Sequence, residues 1–565
     1  MKRGDIHDGR MLLLLVACCG VISCTGVLDV PPEARAPTEL SAREVRHLAG
    51  VLREMAAAWD AMQQGKVVQR RRAEQNYQRA LAEFLSRWDR WQSPRYWPRS
   101  AAFATQGLSF EVTTATGTAP AHGEVAPSRI DELIFPARVK KHHDADTVAL
   151  RSGVGVPVVG HIRRTVEERR LHPFLPPNGG NLTLTALMEF EKRPLDAQSP
   201  RRCRLHLYDA LNVEKVRWQD GQEHPLAANF TTARQLALAK KTLHLFAWTG
   251  ILYPERTLAD CQLYLMDPYD PKRIPVVFVH GLMSDPHIWL NTVNAMSADP
   301  VLRAAYQPWY FLYPTALTIP RSSAKLRESL RAVRDLHDPD GNDPGRKKMV
   351  LVGHSMGGLL SRMQVMDPGD KLWNALLEEP PERLDVSDGV RQRLVRNLMF
   401  RPQPEITRVI FIATPHRGSN LASKNIVRRL TSLIRMPVDT LLMSQELLRG
   451  NTDALSQDIR DWGVYGFLSV GMLSEKHPFY KGLNSVPILA RHHSIIGDRG
   501  RGLGAESSDA VVPYWSSHLD TAQSEKLVPY GHRCVEKDAV VKEIVRVLRE
   551  HLHSSTGASR CASDR

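Results

Sequence analysis

Ser355 is the residue whose type and surroundings best suit covalent chemistry. It stands between Gly353 and Gly357 in a G-x-S-x-G motif. The apolar run Met349–Val352 before it predicts a buried strand, and the apolar residues after it predict a helix. A serine on such a tight strand-to-helix turn is a nucleophile elbow, which lifts the hydroxyl above the sheet edge. The backbone N–H of Met356 then points to the space in front of the serine.

A serine hydroxyl needs a histidine base, and the base needs a carboxylate that orients it. After an elbow, the acid precedes the base along the chain. The candidates are Asp498, Asp509, His518, His532, His551 and His553. We predict that the base is His532 and not His518, because His532 lies in the loop directly before the last helix. We predict Asp509, which lies in a loop, over Asp498, which suits a turn after its strand. His551 and His553 fall in or after the last helix and suit surface positions.

The oxyanion of a tetrahedral intermediate needs two hydrogen-bond donors. Met356 supplies one backbone N–H. Leu282, in the loop after a strand that ends at His280, is placed to supply the other. His280 lies upstream of the serine, so we expect it to shape this loop and not to act as the base.

Strands and helices alternate over residues 266–555. Continuous apolar runs such as Ile274–Val279 and Val409–Ile412 predict buried parallel strands. This order is typical of a doubly wound, mostly parallel α/β sheet with its chemistry at the carboxyl ends of the strands. The segment 419–487 has a mostly helical pattern, and it lies where a cap or lid over the site can be built.

Four motifs in this order resemble the α/β-hydrolase superfamily. They are His280–Leu282, Gly353–Gly358, Ala413–Ser419 and Ser508–Pro513. The likeness is greatest to the lipase and esterase branch, similar to bacterial triacylglycerol lipases and the esterase domain of GPI-inositol deacylases. It covers roughly residues 270 to 553. The resemblance implies that Ser355 is the nucleophile, Asp509 the acid and His532 the base, with Leu282 and Met356 as the oxyanion hole.

Two positions depart from the family pattern. Relatives usually carry glycine after the acid, where this chain has Ala510. Relatives often carry a second histidine shortly after the base, where this chain has Cys534 and Val535. Neither departure removes a member of the triad, but the second leaves no spare base nearby.

The resemblance implies a serine carboxylic-ester hydrolase of the lipase or esterase type. It would act on lipid or other acyl esters through an acyl-enzyme intermediate. Two alternatives stay open. One is acyl transfer, or thioester or amide hydrolysis, in the same site. The other is a non-enzymatic envelope lipoprotein whose hydrolase domain is vestigial.

The N-terminus has the pattern of an export signal. Three basic residues precede the apolar run Met11–Ile22, which is too short to span a bilayer. Cys24 follows a lipobox-like sequence, and Cys18 follows a similar one. We expect a signal peptide over residues 1–24 and a lipid anchor on Cys24, with Cys18 or a plain secretory signal as alternatives. The expected location is the bacterial cell envelope, anchored to the membrane on the periplasmic side or the cell surface.

The N-terminal half is predicted to form three segments. Residues 25–40, rich in Pro and Ala, read as a tether. Apolar stripes at helical spacing, within the segment 25–100, predict a helical hairpin packed on the rest of the protein. Alternating runs such as Leu182–Thr185 and Cys203–Leu207 predict a β-rich accessory domain over residues 101–265, built as a small sandwich. The catalytic domain follows over residues 266–555, and residues 556–565 are a tail.

The charge pattern argues against a nucleic-acid partner. Lys and Arg number 75 against 61 Asp and Glu, a net charge of +14, but they occur in short scattered groups. Solvated faces are expected instead, and a weak attraction to anionic lipid headgroups stays open as an alternative. No Cys or His spacing indicates zinc, no cofactor is predicted, and Lys140–Asp144 suits a solvated turn. Cys203 and Cys261, both in strand-like runs, are the favoured disulfide pair.

Overall fold

The computed structural model describes residues 40–561, with several gaps. The gaps are 65–66, 92, 106–107, 115–122, 140–147, 194–195, 197–198, 218–220, 239–242, 244–245, 247–248, 251–252, 420–437, 463–470 and 502–503. The predicted signal peptide, both anchor candidates Cys18 and Cys24, and the turn Lys140–Asp144 therefore lie outside the described residues.

Two helices and six strands form the N-terminal unit. The helices are α1 (Ala42–Gln64) and α2 (Val67–Trp91). The strands are β1 (Ser100–Thr105), β2 (Leu108–Thr114), β3 (Glu132–Ile134), β5 (Val156–Ile162), β6 (Gly180–Phe190) and β7 (Arg201–Asp209), with the short β4 (Leu150–Arg151) before β5. The six strands form one sheet in the order β1-β2-β7-β6-β5-β3.

The helical hairpin packs on this sheet, as its apolar stripes predicted. Trp59 and Phe84 from the helices share one hydrophobic core with Phe110, Leu187 and other strand residues. The Tyr77 hydroxyl donates to the Met188 carbonyl at 2.7 Å and ties the hairpin to the sheet. The prediction of a sandwich was wrong, because the hairpin occupies the face that a second sheet would have covered.

Short elements lie within the N-terminal unit and between the two halves. They are α3 (Val166–Leu171), β8 (Lys215–Arg217), β9 (Glu223–Pro225), β10 (Ala228–Asn229), α4 (Thr232–Ala237) and α5 (Pro254–Thr257). Arg234 on α4 forms a buried ion pair with Asp267. Since a buried charge needs its partner, this pair fixes the connecting segment against the C-terminal half.

A seven-stranded sheet organises the C-terminal half. Its strands are β11 (Gln262–Leu265), β12 (Ile274–Val279), β13 (Tyr306–Leu312), β14 (Met349–His354), β15 (Ile406–Ile412), β16 (Arg491–Gly497) and β17 (Ser524–Val528). Their order is β11-β13-β12-β14-β15-β16-β17. Only β11 pairs antiparallel, and it joins the sheet just before the predicted boundary at residue 266.

The central strands are apolar throughout because both of their faces are buried. Val277 and Leu351 enter the core on one face of the sheet. Val276, Phe278 and Val350 enter the core on the other. Successive residues of a strand point to opposite faces, so the continuous apolar runs of the sequence supply both cores.

Helices cover both faces of this sheet. They are α6 (Leu290–Ala298), α7 (Pro300–Ala305), α8 (Ile319–His337), α9 (Met356–Arg362), α10 (Lys371–Asn374), α11 (Asp388–Leu398), α12 (Val438–Gly450), α13 (Gln457–Trp462), α14 (Phe479–Asn484), α15 (Tyr514–Ser517) and α16 (Asp538–Cys561). Three of them, α12 to α14, belong to the predicted cap insertion. None of the described helices is both long and apolar enough to cross a membrane.

The favoured disulfide between Cys203 and Cys261 is not formed, and both thiols are free. Cys203 lies in the core of the N-terminal unit and Cys261 in a core of the C-terminal half. Burial raises the pKa of each thiol to about 12. Both residues therefore serve as small apolar core residues and not as reactive thiols.

Candidate active site

Ser355 occupies the sharp turn between β14 and α9. Its φ is 54° and its ψ is −124°, a conformation that non-glycine residues rarely adopt. Glycine is required at both flanking positions, because neighbouring backbone atoms leave no room for a Cβ. A Cβ on residue 353 would lie 2.6 Å from the Gly357 carbonyl oxygen, and one on residue 357 would lie 2.2 Å from the Val279 carbonyl oxygen. The local structure is the elbow that the motif predicted.

The structure brings Ser355, His532 and Asp509 into one hydrogen-bonded chain. The Ser355 Oγ lies 2.8 Å from the His532 Nε2, and the His532 Nδ1 lies 2.7 Å from the Asp509 Oδ2. A carboxylate only accepts, so Nδ1 carries the proton and Nε2 is free to accept from the serine. These are the relations that a serine nucleophile, its base and an orienting acid require.

The Asp509 carboxylate is buried and fully engaged. Asp509 is only 2% exposed to solvent. Its Oδ1 accepts from the backbone N–H of Val511 at 2.8 Å and of Val512 at 2.6 Å, which leaves Oδ2 for His532. Three hydrogen bonds from fixed donors hold the carboxylate in one orientation.

The rejected candidates lie in other environments. The Asp498 Oδ1 accepts from the Gly500 N–H at 2.7 Å and closes a turn. His518 lies 2.6 Å from Glu525, which raises the pKa of His518, and 3.0 Å from Asp520. His553 is exposed on α16.

His551 does not occupy the surface position that we predicted. It is 3% exposed, and its Nδ1 lies 2.8 Å from the Tyr306 hydroxyl. Burial lowers the pKa of His551 to about 4, so it stays neutral. Its contacts lie between α16 and the amino-terminal ends of the strands, away from Ser355, and its role there is packing.

The two predicted oxyanion donors follow neighbouring parallel strands. Val279 on β12 pairs with Gly353 on β14, and Leu282 and Met356 each follow three residues later. Both residues therefore leave the same edge of the sheet, beside Ser355. In the part of the chain that the structure describes, neither backbone N–H has a hydrogen-bond acceptor.

His280 shapes the loop that carries Leu282, as predicted. The Tyr313 hydroxyl donates to the His280 carbonyl at 2.7 Å, and the two rings stack with centroids 4.5 Å apart. Burial lowers the pKa of His280 to about 4. The imidazole is therefore a neutral, packed part of the loop.

Sequence reasoning missed two features around the site. His354, directly before the serine, lies 2.9 Å from the backbone carbonyl of His532. An apolar cavity lies under the cap, lined among others by Leu394, Leu398, Met443 and Leu447, and by Thr318 just before α8. No short motif signals either one, because both depend on segments far apart in the chain. No group of three metal-ligating side chains occurs within the described ranges.

The family comparison agrees with this geometry. Residues 276–519 match the model of the alpha/beta hydrolase family. The match, the sheet order and the elbow show that the C-terminal half has the α/β-hydrolase fold. No curated protein matches the chain.

Several solved structures are similar to this half of the chain. The lipase BlEst2 of Bacillus licheniformis, in its mature form, is 18% identical, with 51% of this chain and 97% of that chain covered and a TM-score of 0.28. Esterase B of Lactobacillus rhamnosis is 13% identical, with 54% and 84% covered and a TM-score of 0.29. At such scores these likenesses add nothing to the fold assignment.

Proposed function

We propose that this protein is a serine hydrolase that cleaves carboxylic esters. The single observation that carries the proposal is the hydrogen-bonded chain from Ser355 through His532 to Asp509. It supports the roles of nucleophile, base and acid for these three residues. The α/β-hydrolase domain supports hydrolysis as the reaction class.

The proposed reaction has two stages. His532 accepts the hydroxyl proton while the Ser355 oxygen attacks the acyl carbon, and the N–H groups of Met356 and Leu282 stabilise the oxyanion. The intermediate collapses when His532 donates its proton to the alcohol oxygen, which leaves an acyl-enzyme. Water, deprotonated by His532, then attacks the acyl carbon, and His532 returns the proton to the Ser355 oxygen as the bond to the acyl group breaks and the acid is released. Asp509 keeps its charge and stabilises the imidazolium in both stages.

We assign the acyl chain of the substrate to the apolar cavity under the cap. Leu447 and Met443 on α12 and Leu398 on α11 give it aliphatic walls. Thr318 also lines the cavity. It lies in the segment after β13, and this segment begins at the same edge of the sheet as Ser355. Arg321 on α8 donates to the Thr440 hydroxyl at 2.8 Å and holds α12 over this region. An acyl ester is thus the favoured substrate class.

Labelling with a fluorophosphonate probe tests the proposed nucleophile. The wild type should label, and Ser355→Ala should not. Ser361→Ala is the matched control, because Ser361 is another buried serine, on the helix that follows Ser355, and its substitution should leave labelling intact. A folded wild type that fails to label, or labelling that persists in Ser355→Ala, would overturn the proposal. Release of free acid from p-nitrophenyl esters in plain buffer separates hydrolysis from acyl transfer.

We also propose export and lipid anchoring of the chain. The support is the basic N-terminus, the apolar run Met11–Ile22 and the lipobox-like residues before Cys24. Metabolic labelling with a radioactive fatty acid in a bacterial host tests it. Label should be lost in Cys24→Ala and kept in Cys18→Ala. Label that is absent from the wild type would contradict the anchor.

A further inference from the structure

His532 is held at both ends of its own backbone. Its N–H donates to the Asp509 carbonyl at 3.0 Å. Its carbonyl accepts from the Nε2 of His354 at 2.9 Å. The imidazole itself lies between Ser355 and Asp509. The position of the ring therefore depends on the side chain of His354 as well as on the two residues that it contacts directly.

His354 is well placed to fix a neighbouring group. It is the last residue of β14, a central strand that pairs with β12 and β15. His354 is 6% exposed, and its ring centroid lies 5.1 Å from that of His532. Since Ser355 follows directly, one rigid strand end carries both the nucleophile and the donor that holds the backbone of its base.

The protonation state of His354 suits this role. Burial, with the neighbouring His532 as a smaller cause, lowers the pKa of His354 to about 3, so the ring is neutral. A carbonyl only accepts, so the single ring proton sits on Nε2. The Nδ1 is buried without a hydrogen-bond partner among the described residues. It faces Gly281, where an added Cβ would lie 3.2 Å from it.

We propose that His354 is a positioning residue for His532. By donating to the His532 carbonyl, it keeps the imidazole Nε2 within hydrogen-bond distance of the Ser355 oxygen. It does not exchange a proton with the substrate. The inference rests on the proposed ester hydrolysis and adds a residue to that site. Misplacement of a catalytic group by about 1 Å can cost about 100-fold in rate, so the effect should be large enough to measure.

Two substitutions at residue 354 separate the donor from the shape. His354→Phe keeps a flat ring but removes the donor. His354→Gln carries its amide nitrogen at nearly the reach of Nε2 and restores the donor. With p-nitrophenyl acetate, we expect kcat of the Phe variant to fall about 10- to 100-fold while KM changes by less than about twofold. The Gln variant should recover most of the lost kcat.

His492→Phe is the matched control. His492 is also buried, its Nδ1 donates to the Ala490 carbonyl at 3.0 Å and its Nε2 lies 3.0 Å from the Thr521 hydroxyl, but it is not part of the site. This variant loses at least as many hydrogen bonds as His354→Phe, so it should lower Tm without a change in kcat.

The outcomes distinguish this inference from the proposed function. A folded His354→Phe variant with the kcat of the wild type would overturn the positioning role alone. So would a Gln variant as slow as the Phe variant, because the donor would then be irrelevant. A folded wild type without turnover or probe labelling would overturn the proposed function, and the positioning role with it.

Discussion

Ala510 adopts a φ of 81° immediately after the buried carboxylate of Asp509. This turn lets the Asp509 Oδ1 accept from two backbone N–H groups while Oδ2 contacts His532. Side chains other than glycine are strained at such a φ, because their Cβ crowds the following carbonyl. The glycine that the resemblance led us to expect at this position would carry no such strain.

Ala510→Gly should therefore stabilise the protein. We expect the free energy of unfolding to rise by about 1 kcal/mol, because the relief of left-handed strain exceeds the added flexibility of the unfolded chain. Turnover should stay close to that of the wild type, since residue 510 is exposed and glycine can keep the same backbone conformation. Thermal and urea unfolding measure the change. A less stable glycine variant would contradict the interpretation of this turn.

Asp509→Asn should depress kcat by about four orders of magnitude. The amide cannot hold His532 in the tautomer that leaves Nε2 free, and it cannot stabilise the imidazolium. Asp498→Asn is the control. Because the Asp498 side chain only closes a turn, this variant should keep the kcat of the wild type. Steady-state rates with p-nitrophenyl acetate decide between them, and the reverse pattern would move the acid to Asp498.

The sequence could indicate that Ser355, Asp509 and His532 lie close together, because each sits in a loop or turn whose place in the chain order is itself informative. The role of His354 could not be predicted, because the carbonyl that accepts its hydrogen bond lies 178 positions away in the sequence. The motif alone does not show whether the side chain before the serine contacts another residue or faces solvent. The sandwich prediction failed for a related reason. Alternating strands reveal that one face is apolar, but only tertiary packing reveals that helices such as the one bearing Phe84 cover it. The burial of His551 likewise depends on a distant hydroxyl, that of Tyr306.

His206 should make the stability of the N-terminal unit depend on pH. Burial opposes its charged form, but a hydrogen bond to Glu124 at 2.9 Å and the Glu189 carboxylate 3.5 Å away outweigh burial and raise the pKa of His206. Because the pKa of His206 is higher in the folded protein, its charged form stabilises the fold. This contribution to stability is complete below the pKa of the unfolded chain, about 6.5, and is lost as the pH rises through the pKa of the folded protein. Arg204 and the stacked ring of Tyr208 also face this group.

The test compares Tm of the wild type and His206→Gln at pH 6 and pH 8. The difference between the two proteins should be larger at pH 6, where the charged histidine contributes, and smaller at pH 8. The other titratable groups are the same in both proteins, so their effect cancels in the difference. A gap that is equal at both pH values would show that His206 does not change its charge over this range.

Leu447→Trp should shift the substrate preference toward short acyl chains. Leu447 is fully buried on α12 and lines the apolar cavity under the cap, so a larger side chain would fill space that we assign to the acyl chain. In a series of p-nitrophenyl esters, kcat/KM for dodecanoate should fall about tenfold or more relative to acetate, since each excluded methylene forfeits about 0.8 kcal/mol of burial. Leu442→Trp is the control on the same helix, because Leu442 is 53% exposed and its substitution leaves the cavity open. If Leu447→Trp slows acetate and dodecanoate equally, the cavity does not hold the acyl chain.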